Sequence, residues 1–233
     1  MEQGAATGRL AGKRLILGVS GGIAAYKACD LASRLVKEQA VVTAVLTRTA
    51  RRFVTPWSFQ ALTGRPCVTG MFHRIEWDQS AFPHLDPVRE ADLVVIAPAT
   101  ANLMARLAAG LADDVLTALC LSARCPVVVC PAMNVRMWEH PATQRNARTL
   151  AGFGYRLFGP AAGPLACGET GVGRMLEPPD IVEEICRSFA SPPAAARESA
   201  AHAGPGAKGR ARRHGPARKR KSGPASPNAP AGK

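Results

Sequence analysis

Nowhere does the chain hold eighteen consecutive apolar residues, so no membrane span is expected. None of its seven cysteines (Cys29, Cys67, Cys120, Cys125, Cys130, Cys167 and Cys186) stands in a C-x-x-C pair, and no Cys/His cluster has the spacing of a zinc site. Several of these thiols lie inside apolar runs, where cysteine behaves as a small buried hydrophobe. The short apolar stretch Leu15–Val19 cannot serve as a signal h-region, because it runs straight into Ser20-Gly21-Gly22. An odd cysteine count without a signal peptide predicts a reducing, cytoplasmic setting. The dinucleotide pattern G-x-G-x-x-G is also missing after the first strand. Acidic residues are scarce in one place only. From Ala190 onward ten Lys/Arg face the single acid Glu198, whereas residues 1–189 hold twenty basic against sixteen acidic residues. The net charge of +13 therefore belongs mainly to the tail. Nucleic acid is not an expected partner beyond weak, salt-dependent, non-specific contact by that tail.

What the chain does hold is an alternation of strands and helices. With 47% hydrophobic residues it can bury a sizeable core. Arg14–Val19 and Val41–Leu46 read as strands, separated by a helix over Ile23–Glu38 with apolar positions at Ile23, Tyr26, Leu31 and Leu35. Ala50–Val54 reads as a helical turn ended before Pro56, and Ser58–Leu62 as a short helix closed by Gly64. Pro66–Thr69 is a third strand, and Gly70–Pro83 has no period and is expected to be a long surface loop. Asp92–Ile96 is strand four, followed by helices over Asn102–Leu111 and from Ala112 to Ala123, the second with Asp113 and Asp114 in its first turn. Val127–Cys130 is strand five, stopped by Pro131, which has no N–H to donate. Pro141–Phe153 is a helix, Tyr155–Phe158 strand six, Gly159–Arg174 a segment rich in glycine and proline, and Pro178–Phe189 a closing helix. This order predicts an α/β fold of three layers with a parallel sheet, in a single domain over residues 13–189. A flexible leader (1–12) is expected before it. After it, residues 190–233 are Ala, Pro, Gly, Ser and Arg/Lys without period, and are expected to be disordered.

In such folds ligands bind beyond the carboxyl ends of the strands. Three of these ends carry distinctive residues. Ser20-Gly21-Gly22 follows strand one, where glycines let the backbone approach a phosphate; such a turn is also often no more than a turn. Thr47-Arg48-Thr49 follows strand two, with hydroxyls that either cap a helix or meet a ligand. Strand five ends in Pro131-Ala132-Met133-Asn134-Val135-Arg136-Met137-Trp138, an amide flanked by two thioethers and an indole. Asn134 offers a donor and an acceptor to a small polar group. The plainer alternative is a loop whose Met and Trp pack on the core.

Four blocks coincide in order: Gly18-Val19-Ser20-Gly21-Gly22-Ile23-Ala24, Ala91–Asn102, Pro131–Trp138, and Ala166-Cys167-Gly168-Glu169-x-Gly171-x-Gly173-Arg174-Met175. Together they closely resemble the flavin-containing cysteine decarboxylases, in particular the group that acts in coenzyme A biosynthesis. The resemblance covers roughly Arg14 to Phe189. It implies a flavodoxin-like (Rossmann-like) homo-oligomer, a trimer or an assembly of trimers, with FMN at the subunit interface. Ser20, Gly21, Gly22, Ile23 and Thr47 match the FMN phosphate side; Phe59, Ala97, Pro98, Ala99, Thr100 and Asn102 match residues near the ring and ribityl chain. His84 matches an active-site histidine. Asn134 matches the residue that holds the substrate carboxylate, with Ala132, Met133, Met137, Ala166 and Gly168 around the substrate. Cys167 matches the acid that completes the reduction. No metal is implied.

The implied activity is FMN-dependent decarboxylation of 4'-phosphopantothenoylcysteine to 4'-phosphopantetheine. The substrate has no electron sink of its own, so the cysteinyl thiol is first oxidised to a thioaldehyde; decarboxylation then gives an enethiol, which is reduced. The same resemblance admits two alternatives. A peptidyl-cysteine decarboxylase stops at the enethiol and needs no acid at Cys167. A non-catalytic regulatory protein would leave the His84, Asn134 and Cys167 set without use. Two departures from the family pattern stand out. Gln39 replaces a usual helix-ending glycine. The two-domain bacterial members continue into a ligase domain after the last helix, whereas here the basic tail follows, which predicts either a stand-alone decarboxylase or a truncated relative.

Overall fold

The computed structural model describes residues 8–71 and 86–190. The expected tail beyond Ala190, residues 1–7 of the expected leader, and all but the first two residues of the loop expected over 70–83 lie outside the described residues. Residues 8–12 of that leader are held in place. Leu10 is fully buried, its N–H reaches the Glu38 carbonyl at 3.1 Å, and Arg9 pairs with both Glu38 and Glu183.

Five parallel strands form the central sheet, in the order β2-β1-β3-β4-β5. They are β1 (Arg14–Val19), β2 (Val41–Leu46), β3 (Leu93–Ala99), β4 (Val127–Pro131) and β5 (Arg156–Leu157). The first two match the sequence reading residue for residue. β3 and β4 are almost continuously apolar and buried, as strands covered on both faces must be. Helices α1 (Lys27–Lys37), α2 (Pro56–Thr63) and α8 (Pro178–Ala190) cover one face, where Leu15, Leu17, Leu31, Leu35 and Ile185 share a core. The other face is covered by α4 (Ala101–Ala108), α5 (Val115–Ser122) and α7 (Pro141–Gly152), with Ile16, Val94, Ile96, Leu103 and Leu116 between. The short helices α3 (Asp86–Arg89) and α6 (Val135–Glu139) complete the set. Among the described residues no helix is long and apolar enough to cross a membrane.

Several expectations need correction. The helix expected from Ile23 begins as a 3-10 turn over Ile23–Tyr26; Ile23 and Tyr26 are each 62% exposed, and the buried stripe is Ala28, Leu31, Ala32 and Leu35. Pro66–Thr69 is no strand: Val68 makes a single parallel bridge to Val45. Asp114 is the N-cap of α5 rather than a first-turn residue. Its carboxylate accepts from Thr117 N (2.9 Å), Thr117 Oγ1 accepts from Asp114 N (3.2 Å), and Arg106 pairs with both Asp113 and Asp114. Pro131 belongs to β4 as its last residue, opposite Ala99, and the pairing resumes with Ala132 N to Ala99 O at 3.0 Å. The glycine- and proline-rich segment after strand β5 contains an antiparallel hairpin, β6 (Ala161–Pro164) and β7 (Thr170–Arg174).

Gln39, just past the end of α1, has φ +63°, a left-handed conformation that disfavours any side chain with a Cβ. Gln39→Gly is expected to raise unfolding stability by roughly 0.5–1 kcal/mol, the strain relieved less the glycine entropy. Urea unfolding would read this as a higher midpoint at unchanged slope. A lower midpoint would mean that the 3.0 Å bond from Gly8 N to Gln39 Oε1 outweighs the strain.

Candidate active site at the carboxyl edge of the sheet

The strand order reverses between β1 and β3, which opens a crevice at their carboxyl ends. Ser20 fastens the two ends together. Its buried Oγ donates to the Pro98 carbonyl (2.8 Å) and accepts from Thr100 N (3.0 Å). Thr100 in turn caps α4, accepting from Leu103 N. Gly21 lies so close to the chain after β2 that a Cβ there would sit 2.5–2.6 Å from Thr49 atoms, backbone carbon included. Only glycine fits that approach.

Above this edge lies a cavity of about 790 Å³, closed on its far side by the β6–β7 hairpin. The hairpin is fixed to the end of β4 through Met133 N to Gly173 O at 2.9 Å. A Cβ on Gly173 would collide with the Met133 carbonyl, and one on Gly171 would come within 2.6 Å of Val135 Cγ2. Lys27 and Arg174 both line the cavity, and among the described residues no acidic side chain does. The two cations share Glu177, at 2.7 and 3.8 Å. Among the described residues Arg174 Nε is the buried side-chain nitrogen left without a hydrogen-bond partner.

Asn134 stands at the junction of strand, helix and hairpin. As the N-cap of α6 it accepts from Arg136 N through Oδ1 at 2.8 Å, which fixes the direction of its amide. The Nδ2 end then donates to Cys167 Sγ (3.2 Å) and to Glu169 Oε2. Cys167 Sγ is 3.8 Å from the same carboxylate oxygen, and Glu169 Oε1 lies 3.3 Å from Arg136 Nε. Of the seven cysteines Cys167 alone is classed as exposed. Burial pushes the Cys67 thiol up to about 12 and raises those of Cys120 and Cys130 as well, so these three are inert packing residues.

The cavity gathers Gly21, Gly22, Ile23, Thr100 and Asn102 from the expected cofactor set. From the expected substrate and catalytic sets it gathers Ala132, Met133, Asn134, Met137, Ala166 and Cys167. Other expected residues lie behind the wall. Thr47 is buried and its Oγ1 accepts from Ala50 N, so it caps the turn after β2 while Thr49 faces the cavity. Ser20, Ala97 and Ala99 are buried and, with Pro98, form the enclosed ends of β1 and β3. Phe59 is fully enclosed in the core beside α1 and does not reach the wall. Gly168 sits at φ +85° in the hairpin turn, off the wall. His84 lies outside the described residues. Sequence reasoning missed Lys27, Thr49, Glu169 and Arg174 as site residues. Glu169 and Arg174 stand inside the fourth block, but only the hairpin brings them to Asn134 and to Lys27's partner Glu177.

The chain is similar to known proteins over this region. It is 47% identical over 183 residues to the coenzyme A biosynthesis bifunctional protein CoaBC of Vibrio cholerae, covering 78% of this chain and 45% of that protein. The CoaBC of Bacillus subtilis is 47% identical over 178 residues, 76% of this chain and 43% of the relative. The chain thus spans about half the length of the curated relatives it matches. Among solved structures, a cysteine-to-serine variant of PPC decarboxylase complexed with pantothenoylaminoethenethiol superposes with a TM-score of 0.68 at 30% identity, over 77% of this chain and 100% of that one. The FMN-dependent cysteine decarboxylase SpaF gives 0.64 at 33%, over 78% and 99%. The sequence profile described as Flavoprotein matches residues 4–190, and the chain belongs to that family.

Proposed function

We propose that this chain is an FMN-dependent carboxy-lyase that converts 4'-phosphopantothenoylcysteine to 4'-phosphopantetheine in coenzyme A biosynthesis. The observation that carries the proposal is the contact of Asn134 Nδ2 with Cys167 Sγ, 3.2 Å apart on the wall of one cavity. A carboxylate-binding amide and a proton-donating thiol are two of the protein groups this reaction needs. The names of the relatives support it: coenzyme A biosynthesis for one set, and PPC decarboxylase with a bound ethenethiol for a neighbour.

The cavity residues fit FMN. Gly21 leaves a cradle that a Cβ would fill, and Lys27 with the orphaned Arg174 Nε gives a positive wall suited to phosphate-bearing ligands. Thr49, Thr100 and Asn102 supply polar contacts, and Ile23 and Met133 an apolar surface. Bound FMN supplies the two-electron oxidation of the substrate thiol that makes an electron sink, and returns the electrons afterwards. The chain does the rest. Asn134 holds the substrate carboxylate by a neutral donor, without a fixed positive charge that would stabilise the leaving carboxylate in the ground state. Cys167 Sγ gives the proton that accompanies reduction. Self-association completes the site in this reading, because Ile23 and Tyr26 line the cavity while remaining 62% exposed in the single chain.

The test is direct. The purified protein should be yellow, acid should release FMN and not FAD, and incubation with 4'-phosphopantothenoylcysteine should release carbon dioxide and give the mass of phosphopantetheine. A colourless protein that takes up no added FMN, or a flavoprotein that leaves this substrate unchanged, would overturn the proposal.

A further inference from the structure

Among the described residues Glu169 is the carboxylate that touches both groups proposed to act on the substrate. Its Oε2 accepts from Asn134 Nδ2 and lies 3.8 Å from Cys167 Sγ. Its Oε1 faces Arg136 Nε at 3.3 Å, and Arg136 is largely in solvent. The hydrogen-bond accounting closes. Without substrate, Asn134 gives one N–H to Sγ and one to Oε2, while its Oδ1 is taken by Arg136 N; a substrate carboxylate takes the hydrogen given to Oε2 and returns it once carbon dioxide has left. The remaining hydrogen, on Sγ, has Oε2 as its acceptor. Since the Glu169 side chain is 35% exposed, the carboxylate joins the thiol to bulk water.

We propose that Glu169 is a positioning residue with a relay role: it keeps the Asn134 amide turned toward Cys167 and returns a proton to Cys167 after each turnover. The inference rests on the carboxy-lyase reading above. With FMN bound, the cofactor would return two electrons to the enethiol in the last step, and Cys167 would give the proton that accompanies them. The S–H bond breaks, its electron pair stays on Sγ, and a thiolate remains, held by the N–H of Asn134. A proton taken from water onto Glu169 Oε2 then passes to Sγ, which re-forms S–H and leaves the carboxylate to its Arg136 contact. No further oxidant or reductant enters. Oxidation of the substrate and loss of carbon dioxide come before this step and do not use the relay.

The experiment follows both products in the FMN-loaded wild type, Glu169→Gln and Glu169→Asp. Glutamine still accepts from Asn134 Nδ2 through its amide oxygen but cannot carry the proton. In air, where oxygen reoxidises the reduced flavin, Glu169→Gln should therefore release carbon dioxide near the wild-type rate, while formation of saturated phosphopantetheine falls about 100-fold and the enethiol, two hydrogens lighter, accumulates. Glu169→Asp should restore part of the saturated product. A second readout does not depend on turnover. The S–H stretching band of Cys167, identified in the Raman spectrum by its absence from Cys167→Ser, should lie at the frequency of a hydrogen-bonded thiol and move toward the free-thiol frequency in Glu169→Gln. An active wild type whose Glu169→Gln variant makes only phosphopantetheine at an unchanged rate overturns the relay and leaves the carboxy-lyase reading intact. So does a variant that loses carbon dioxide release and reduction to the same extent, since that is the mark of a structural role. A wild type that releases no carbon dioxide overturns both. If Glu169→Gln does not fold, a free-thiol frequency for Cys167 in the wild type overturns the relay by itself.

Discussion

Asn134→Asp is expected to leave FMN bound and to reduce carbon dioxide release about a thousandfold. The substitution keeps the fold, because aspartate caps a helix as well as asparagine does and its oxygen can still accept from Arg136 N, 2.8 Å away in the native chain. What it removes is the NH₂ group that donates to Cys167 and to Glu169. In its place stands an oxygen bearing negative charge, facing the Glu169 carboxylate and any substrate carboxylate. Two like charges about 4 Å apart at an effective dielectric of about 20 repel by about 4 kcal/mol, which is about a thousandfold in rate. Arg136 offsets little of this, since it is the most solvent-exposed member of the cluster. The measurement is carbon dioxide release set against the flavin absorbance of the same sample. Near-normal release in a fully loaded variant would remove Asn134 from the mechanism.

Cys167→Ser is expected to stop the reaction one step short. Serine keeps a hydroxyl where the thiol was, so the contact with Asn134 Nδ2, 3.2 Å from sulfur, survives in kind. Its proton is far less available, because an alcohol is a much weaker acid than a thiol. A general acid of the right strength contributes about 10²–10⁴-fold to the step it serves and nothing to the steps before it. Carbon dioxide should therefore still be released, the flavin should stay reduced under anaerobic conditions, and the product should be the enethiol. Mass analysis separates the enethiol from phosphopantetheine by two hydrogens. The same measurement on the wild type separates the coenzyme A reading from a peptidyl-cysteine decarboxylase, for which the enethiol is the normal end. Ordinary phosphopantetheine from Cys167→Ser at the wild-type rate would make Cys167 a turn residue.

The sheet was legible where burial dictates the residues. β1 and β2 are apolar runs with sharp ends, and their bounds match residue for residue. Reading grew less reliable wherever a side chain competes with the backbone. Asp114 draws the start of α5 inward because its carboxylate satisfies the Thr117 N–H, an effect local spacing hardly distinguishes from a first-turn acid. The hairpin was read as irregular because its strands are four and five residues of mostly small types, without the alternation that marks a half-buried strand. Half of the site went with it. Asn134 and Cys167 could be named from their blocks, but the contact between them, and Glu169 as the partner of both, exists only because β7 folds back onto Met133. Thr47 and Thr49 are two residues apart with the same side chain, and only the fold tells which is turned inward.

The close approach at Gly21 and Gly173 has a consequence for selection. Both glycines line the cavity, and at both the space a Cβ needs is already taken, by Thr49 in one case and by the Met133 carbonyl in the other. A small molecule that filled the cavity would rest on surface the chain cannot thicken. Escape from such a compound by growing a side chain into it is closed at these two positions, because the same change would push apart the strand ends or the hairpin that the proposed chemistry requires. The routes left open run through residues that already carry side chains, such as Met137, which is half exposed at the rim. A compound held mainly by backbone at the two glycines would leave resistant variants little room to arise.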